Sequence, residues 1–267
     1  MTRPYFGLML LAPVFAGSLA GSLVLAQDAG DLRRTGYQDM SPALQQMEDD
    51  DTANPGMLFV QVGEALWKEP AGKVGKACAD CHGNVERSMK GVAARYPAIP
   101  ADVPGTAVKP VDLEGRINLC RAVHQQAERL AAESRELVAL TAYVTLSSRG
   151  LPIAPPDDKR LAAIRREGAE LFTTRQGQLN LSCANCHDDN AGKRLAGAVI
   201  PQAHPTGYPV YRLEWQSLGS LKRRLRNCLI GMRAEAYDYD SPHYVALELY
   251  LADRAKGMKI DAPGVRP

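Results

Sequence analysis

Two five-residue strings set the chemistry of this chain: Cys78-Ala79-Asp80-Cys81-His82 and Cys183-Ala184-Asn185-Cys186-His187. Each places two thiols three positions apart, with an imidazole directly after the second. That spacing lets both sulfurs add across the vinyl groups of one porphyrin while the adjacent histidine becomes the proximal iron ligand. It is the attachment signature of a c-type haem. Two copies in one chain, each set in a similar stretch of sequence, weigh against the competing reading of redox or metal-binding dithiols. The sequence predicts two covalently bound haem c groups, held by Cys78 and Cys81 with His82, and by Cys183 and Cys186 with His187.

A c-type haem that only carries electrons usually has Met or His on its distal side. Met89 and His124 could serve the first haem, and Met232, His204 or His243 the second. Yet the residue that recurs at matched places is cysteine. Cys120 and Cys228 are the two thiols left after haem attachment, and they lie 108 positions apart, close to the 105 that separate His82 from His187. Three readings compete. They could form an interdomain disulfide, which needs α-carbons within about 7 Å. They could be inert buried thiols. Or each could ligate the iron of its own half, which equivalent positions in two haem units favour. Thiolate ligation predicts low-potential haems.

The two cysteines differ in surroundings. Leu221-Lys222-Arg223-Arg224-Leu225-Arg226-Asn227-Cys228-Leu229-Ile230-Gly231-Met232-Arg233 carries five bases and no acid. If this run is helical, Arg224 sits one turn before Cys228 on the same face. Its guanidinium can then lower the thiol pKa and hold an anion beside the sulfur. Lys222, Arg223 and Arg226 read as a solvated basic face. Arg116 holds the corresponding place before Cys120, but Glu114 stands near it. The second copy therefore reads as a site open to a small, doubly charged sulfur oxyanion, and the first as a packed redox centre.

The elements that must position these residues are themselves repeated. Arg116-Ile117-Asn118-Leu119-Cys120 answers Arg224-Leu225-Arg226-Asn227-Cys228, and Leu137 to Tyr143 answers Tyr244 to Tyr250 at an offset of 107. Landmarks at a nearly constant offset indicate an internal duplication. Helical spacing over Pro55–Trp67 and Lys159–Phe172 predicts a helix leading into each haem motif. Each copy then reads helix, haem motif, variable loop, Cys-bearing helix, and a terminal helix ending near a Tyr. The fold class predicted is mainly α, with two tandem class I cytochrome c-like domains. They span residues 55–150 and 159–267, joined by a Pro-rich linker at 151–158 that cannot continue a helix.

The apolar stretch from Tyr5 to Ala26, after a cationic Arg3, ends in Val24-Leu25-Ala26 and reads as a signal peptide over residues 1–26. Export together with haem c points to the periplasm, with no membrane association after cleavage. Residues 27–54, with the acidic run Glu48 to Asp51, read as a solvated extension or a strap over the first domain. Thirty-two Lys and Arg against 30 Asp and Glu give a net charge of +2, so bulk electrostatics does not argue for nucleic acid.

At these residues the chain resembles the SoxA family, the dihaem cytochrome subunits of bacterial thiosulfate-oxidising systems. The resemblance is strongest over Ser182–Asn190, His204–Leu221 and Arg224–Cys228, and it covers essentially the whole mature region. It implies His/Cys ligation of both irons, by His82 with Cys120 and by His187 with Cys228. It implies an L-cysteine S-thiosulfotransferase that pairs with SoxX, a small monohaem cytochrome c. The pair couples thiosulfate to a cysteine of the SoxYZ carrier and passes two electrons to haem. The family's catalytic cysteine, a persulfide, falls on Cys228, and its substrate-binding arginine on Arg224. A plain dihaem electron carrier and a thiosulfate dehydrogenase forming tetrathionate are the alternatives. The carrier leaves the basic cluster without a purpose.

Overall fold

Each haem motif folds as one short helix, and the residue between its cysteines closes the first turn. Ala77 N–H donates to the Asp80 carboxylate at 2.8 Å. In the second copy Ser182 N–H donates to Asn185 Oδ1 at 3.1 Å, and Asn185 N–H to Ser182 Oγ at 3.3 Å. Side chains thereby satisfy amide donors that a helix start leaves orphaned. The structure, a computed structural model, describes residues 1–2, 31–100 and 109–267. The signal peptide expected over 1–26 lies outside them beyond its first two residues. Contacts divide the chain into Met1–Leu32 and a compact unit, Arg33–Pro267, to which the architecture belongs.

In order, that unit contains α1 (Pro42–Asp49), α2 (Gly56–Lys68), α3 (Cys78–His82), α4 (Val85–Ser88), α5 (Leu113–Cys120) and α6 (Arg135–Leu146). Then follow α7 (Ala162–Thr173), α8 (Cys183–His187), α9 (Leu221–Gly231) and α10 (Pro242–Arg254). The fold is mainly α and tandem, as predicted. Helices lead into the motifs where the periodicity placed them, with residues 159–161 forming a 3-10 turn ahead of α7.

One frame holds both halves. In α2 the buried positions Val60, Gly63 and Trp67 recur at helical spacing, and they pack on α6. The crossing is so close that a β-carbon on Gly63 would stand 2.2 Å from the Ala139 carbonyl oxygen. In the second half Gly168 of α7 meets the Ala246 carbonyl of α10 in the same way, at 2.1 Å. Buried Leu137, Val138, Leu140, Tyr244, Leu247 and Leu249 supply core volume.

The duplication also explains its own irregularity. Val74 N–H donates to the Gln125 carbonyl, and Leu179 N–H to the Met232 carbonyl, so Gln125 and Met232 are equivalent. Five residues separate Cys120 from Gln125, but four separate Cys228 from Met232. The extra residue is absorbed by a π turn over Arg121–Gln125. A π turn is how a helix takes in one inserted residue without losing register beyond it.

A small sheet frames the second half. Strand β3 (Val210–Arg212) lies antiparallel to β4 (Ser217–Gly219) and parallel to β5 (Gly264–Arg266), while β1 (Arg194–Leu195) and β2 (Ala198–Val199) form a hairpin. Leu218 of β4 packs into the cluster of Val60, Val138 and Ala142, so the halves share a core. The segment after Gly150 is zipped to the chain near the C-terminus. Ile153 N–H donates to the Met258 carbonyl at 2.9 Å, and Ile260 N–H to Leu151 at 3.0 Å.

The N-terminal extension departs from expectation. It runs over the second half as well as the first. Helix α1 packs on β5, Glu48 is buried and pairs with Arg266, and Arg33 donates to the carbonyls of Arg254 and Lys256. The C-terminal strand supplies a backbone edge and a buried cation that the acidic run can satisfy. For that reason Glu48 leaves solvent.

Candidate functional site

The second haem motif and the basic helix converge on one cavity. His187 is turned by its own backbone neighbourhood, with Nδ1 hydrogen-bonded to the Pro201 carbonyl at 2.7 Å. That contact fixes the tautomer and leaves Nε2 as the lone-pair donor, the arrangement expected of a metal-ligating histidine. The sulfur of Cys228 lies beside this same imidazole. Cys228 comes from α9, whose N-terminus is capped by Ser220 Oγ accepting from Arg223 N–H at 3.1 Å. Four of the run's five bases, Lys222, Arg223, Arg224 and Arg226, lie in α9, which meets the condition set on the sequence, while Arg233 falls beyond the helix end.

The cavity, about 150 Å³, is lined by His187, Cys228, Arg224, Arg212 and Tyr208 on its polar side, with Val199, Leu225 and Leu251 among its apolar walls. Burial pushes the Cys228 thiol pKa up. The His187 hydrogen bond and the charges of Arg224, His187 and Arg212 outweigh it, and the net shift is downward. A half-buried thiol in electropositive surroundings, poised toward thiolate, is the reactive kind. Arg212 is only 9% exposed. Burial, then the neighbouring Arg224, lowers its pKa, and Glu214 at 2.8 Å works against them. Two guanidiniums crowded beside one sulfur form a site that an anion relieves.

The remaining bases of α9 are placed otherwise than predicted. Lys222 is not on a solvated face: it is buried and ion-paired with Asp112 at the start of α5. Arg223 stacks 4.3 Å over the Trp215 ring, and Arg226 4.5 Å over Tyr239. Flat aromatic faces absorb both cations. Of the α9 bases, Arg224 is left to line the Cys228 cavity.

In the first half Cys120 lies close enough to Cys78 to raise that thiol's pKa, after burial, while Arg121 acts the other way. His82 packs beside Trp67, with ring centroids 5.6 Å apart. No disulfide joins Cys120 to Cys228, and each lies close to its own haem motif. Of the other distal candidates, Met232 is buried in the second core, Met89 packs against the Trp67 cluster, and His243 pairs with Glu167 at 2.7 Å. His204 lines the Cys228 cavity, its Nδ1 bonded to the Arg34 carbonyl.

These donors fit a haem. Among the described residues, no three His, Cys, Asp or Glu side chains cluster to hold a bare metal ion. Each half instead offers one imidazole and one thiol beside an attachment pair. That set suits an iron whose other ligands come from a porphyrin.

Sequence reasoning missed Arg212, Tyr208 and the strap residues Gly36, Asp39 and Met40, all of which line the cavity. Arg212 lies inside a quoted stretch of the resemblance, but nothing in its local sequence points at Cys228. Only the pairing of β3 with β4 and β5 brings it there.

Matched frames around two attachment helices define a tandem cytochrome c, with an arginine-lined cysteine pocket in its second half. The model described as the SoxA/TsdA cytochrome c domain matches residues 62–153 and again 167–260. The chain belongs to this family, within it among the SoxA subunits of L-cysteine S-thiosulfotransferase. It is 34% identical to the L-cysteine S-thiosulfotransferase subunit SoxA of Pseudaminobacter salicylatoxidans, over 96% of this chain and 97% of that one. It is 36% identical to the SoxA subunit of Rhodovulum sulfidophilum, over 90% and 82%. The crystal structure of SoxXA from P. pantotrophus superposes with a TM-score of 0.83 at 31% identity, covering 88% of this chain and 87% of that one. Among the described residues no helix is long and apolar enough to cross a membrane.

Proposed function

We propose that this chain is the dihaem, catalytic subunit of a periplasmic thiosulfotransferase, with the reaction centred on Cys228. The supporting observation is the Cys228 thiol held between the His187 imidazole and the paired guanidiniums of Arg224 and Arg212. Cys78 and Cys81, and Cys183 and Cys186, attach the haems. His82 with Cys120, and His187 with Cys228, would hold the two irons. A SoxX-type monohaem cytochrome c is the partner, in keeping with the SoxXA structure, and the SoxYZ carrier is the thiol substrate. The periplasmic location rests on the Tyr5–Ala26 segment.

Thiosulfate carries two negative charges, and Arg224 with Arg212 matches them. Their fork-shaped donors suit a sulfonate. With the sulfonate held, the sulfane sulfur faces the terminal sulfur on Cys228, that of a persulfide. A sulfur–sulfur bond forms between them, and two electrons leave. Haem supplies the acceptor for those electrons. The carrier thiol then loses its proton and its sulfur attacks the sulfane sulfur. The bond to Cys228 breaks and its terminal sulfur is regenerated. The sum is one thiosulfate and one thiol converted to one S-thiosulfonate, one proton and two electrons. Placement does much of the work, because it makes a bimolecular coupling effectively unimolecular.

Arg224→Ala tests this assignment. It should leave the haem absorption spectra nearly unchanged while carrier-dependent thiosulfate turnover falls roughly 10- to 100-fold. That is the scale of one hydrogen bond to a charged group, about 1.5–3 kcal/mol. Turnover at the unmodified rate would remove Arg224 from the site.

A further inference from the structure

A second cavity, about 120 Å³, lies between the halves and shares Tyr208, Pro205 and Leu221 as a wall with the Cys228 cavity. The α5 cap Asp112, Glu114 of α5 and Glu248 of α10 line it, with Thr141 and Thr145 of α6, the Ser220 cap of α9, and the rings of Tyr96 and Tyr208. Lys222 enters from α9 and pairs with Asp112, while Glu133, ahead of α6, accepts from the Ser220 hydroxyl. Glu114 is only 8% exposed, and its Oε1 is buried without a partner. Tyr239 stands farther off, near Arg226. Three carboxyls, those of Asp112, Glu114 and Glu248, thus share one ammonium, with the half-buried Glu133 beside them on Ser220.

The position of this cluster is what gives it a role. Helices α5 and α9 both begin at it, and they end on Cys120 and near Cys228. Glu114 precedes Cys120 by six residues, and Lys222 precedes Cys228 by six. At 1.5 Å per residue, each cysteine lies roughly 9 Å along its helix from the cluster. A unit charge at about 12 Å in a medium of effective dielectric about 20 moves an acid's pKa by about one unit.

We propose that the Asp112–Glu114–Glu248–Lys222 cluster is a redox-linked proton site shared by both haem halves. When an electron arrives on either haem, ferric iron becomes ferrous and a carboxylate of the cluster takes one proton from solvent. When the electron leaves for the next carrier, the proton returns to solvent. The electron comes from thiosulfate in turnover, or from an added reductant in a titration. The proton keeps a transient negative charge from standing uncompensated in the protein interior. This inference rests on the haem reading above and is independent of the sulfur chemistry at Cys228.

The ionisation of the cluster supports it. Burial pushes Glu114 up to about 8, Asp112 adds to this and Lys222 opposes it. Burial also raises Glu248, with Asp112 and Glu114 adding. Burial disfavours the Lys222 ammonium, but Asp112, Glu248 and Glu114 outweigh it and keep that group charged. Reduction raises an acid's pKa and oxidation lowers it. Proton uptake therefore accompanies reduction around pH 8, and the haem potentials fall as pH rises through that range.

The test is a potentiometric titration of the haem-loaded protein, in complex with its partner cytochrome, from about pH 6 to about pH 10. Expected are potentials flat at the acid end that then fall by up to 59 mV per pH unit, the one-proton, one-electron limit. Glu114→Gln and Glu248→Gln should flatten that slope with unchanged haem spectra, whereas Glu167→Gln, at the His243 pair, should not. If either cluster variant fails to fold, reduction-induced infrared difference spectra of the unmodified protein should show a protonated-carboxyl band growing on reduction. Potentials independent of pH in the unmodified protein, a slope that survives in both folded variants, or the absence of that infrared band would overturn the proposal. Failure of the haem reading would show earlier, as an absorption spectrum without covalent haem.

Discussion

Cys228→Ala should reduce carrier-dependent thiosulfate turnover more than about a thousandfold and alter the spectrum of one haem only. Loss of a covalent nucleophile is among the costliest single changes an enzyme can suffer. Here the same sulfur has two roles. It lies beside the His187 imidazole, with which it would hold the second haem's iron, and it lines the cavity with Arg224 and Arg212. Its removal takes away both the bond-forming atom and one axial donor. The first half keeps Cys120 beside its own motif, so the His82 haem should retain its low-spin thiolate signature in ferric resonance spectra. Turnover by the alanine variant at an appreciable rate would mean that the carrier is loaded elsewhere.

Gly168→Ala should destabilise the second half by about 3 kcal/mol or more and lower the amount of haem attached there. An added β-carbon would stand 2.1 Å from the Ala246 carbonyl oxygen and 2.8 Å from Tyr250 Cβ. Backbone cannot swing aside as a flexible side chain can, so α7 and α10 must part. Overpacking a well-filled core costs typically about 1–3 kcal/mol, and more where backbone must move. The parting reaches the site because Phe172 of α7 and Leu247 and Leu251 of α10 share one cluster with Leu229, against which Cys183 packs. Gly231→Ala is the control. No atom lies within 4 Å of its added carbon, so it should be neutral or stabilising by about 0.5–1 kcal/mol. Denaturant midpoints and the covalent haem count per chain check both variants.

Local sequence carried the parts of this molecule whose physics is local. The attachment strings read directly as haem chemistry because thiol, thiol and imidazole need fixed spacing. Helical periodicity placed α2 and α7, and the matched offsets exposed the duplication. The hidden parts depend on contacts between distant segments. Lys222 reads as a solvated base because its burying partner, Asp112, is 110 residues away. Arg212 enters the cavity only through the register of a three-stranded sheet whose third strand ends the chain. The strap follows from an acid, Glu48, that finds its cation at Arg266. Gly63 and Gly168 look like ordinary helix glycines until the helices they belong to are seen to cross at backbone distance. The one-residue drift between copies reads as noise, and the π turn after Cys120 gives it a physical cause.

The central claim is that sulfur chemistry takes place on Cys228 and nowhere else on the chain. Mass spectrometry of the peptide spanning Arg226–Met232, from non-reduced protein as isolated and again after incubation with thiosulfate, tests it most directly. Expected are an additional sulfur on Cys228, further modification of that residue by thiosulfate, and an unmodified Cys120. A Cys120–Cys228 crosslink, or added sulfur on another residue with Cys228 bare in both samples, would contradict it.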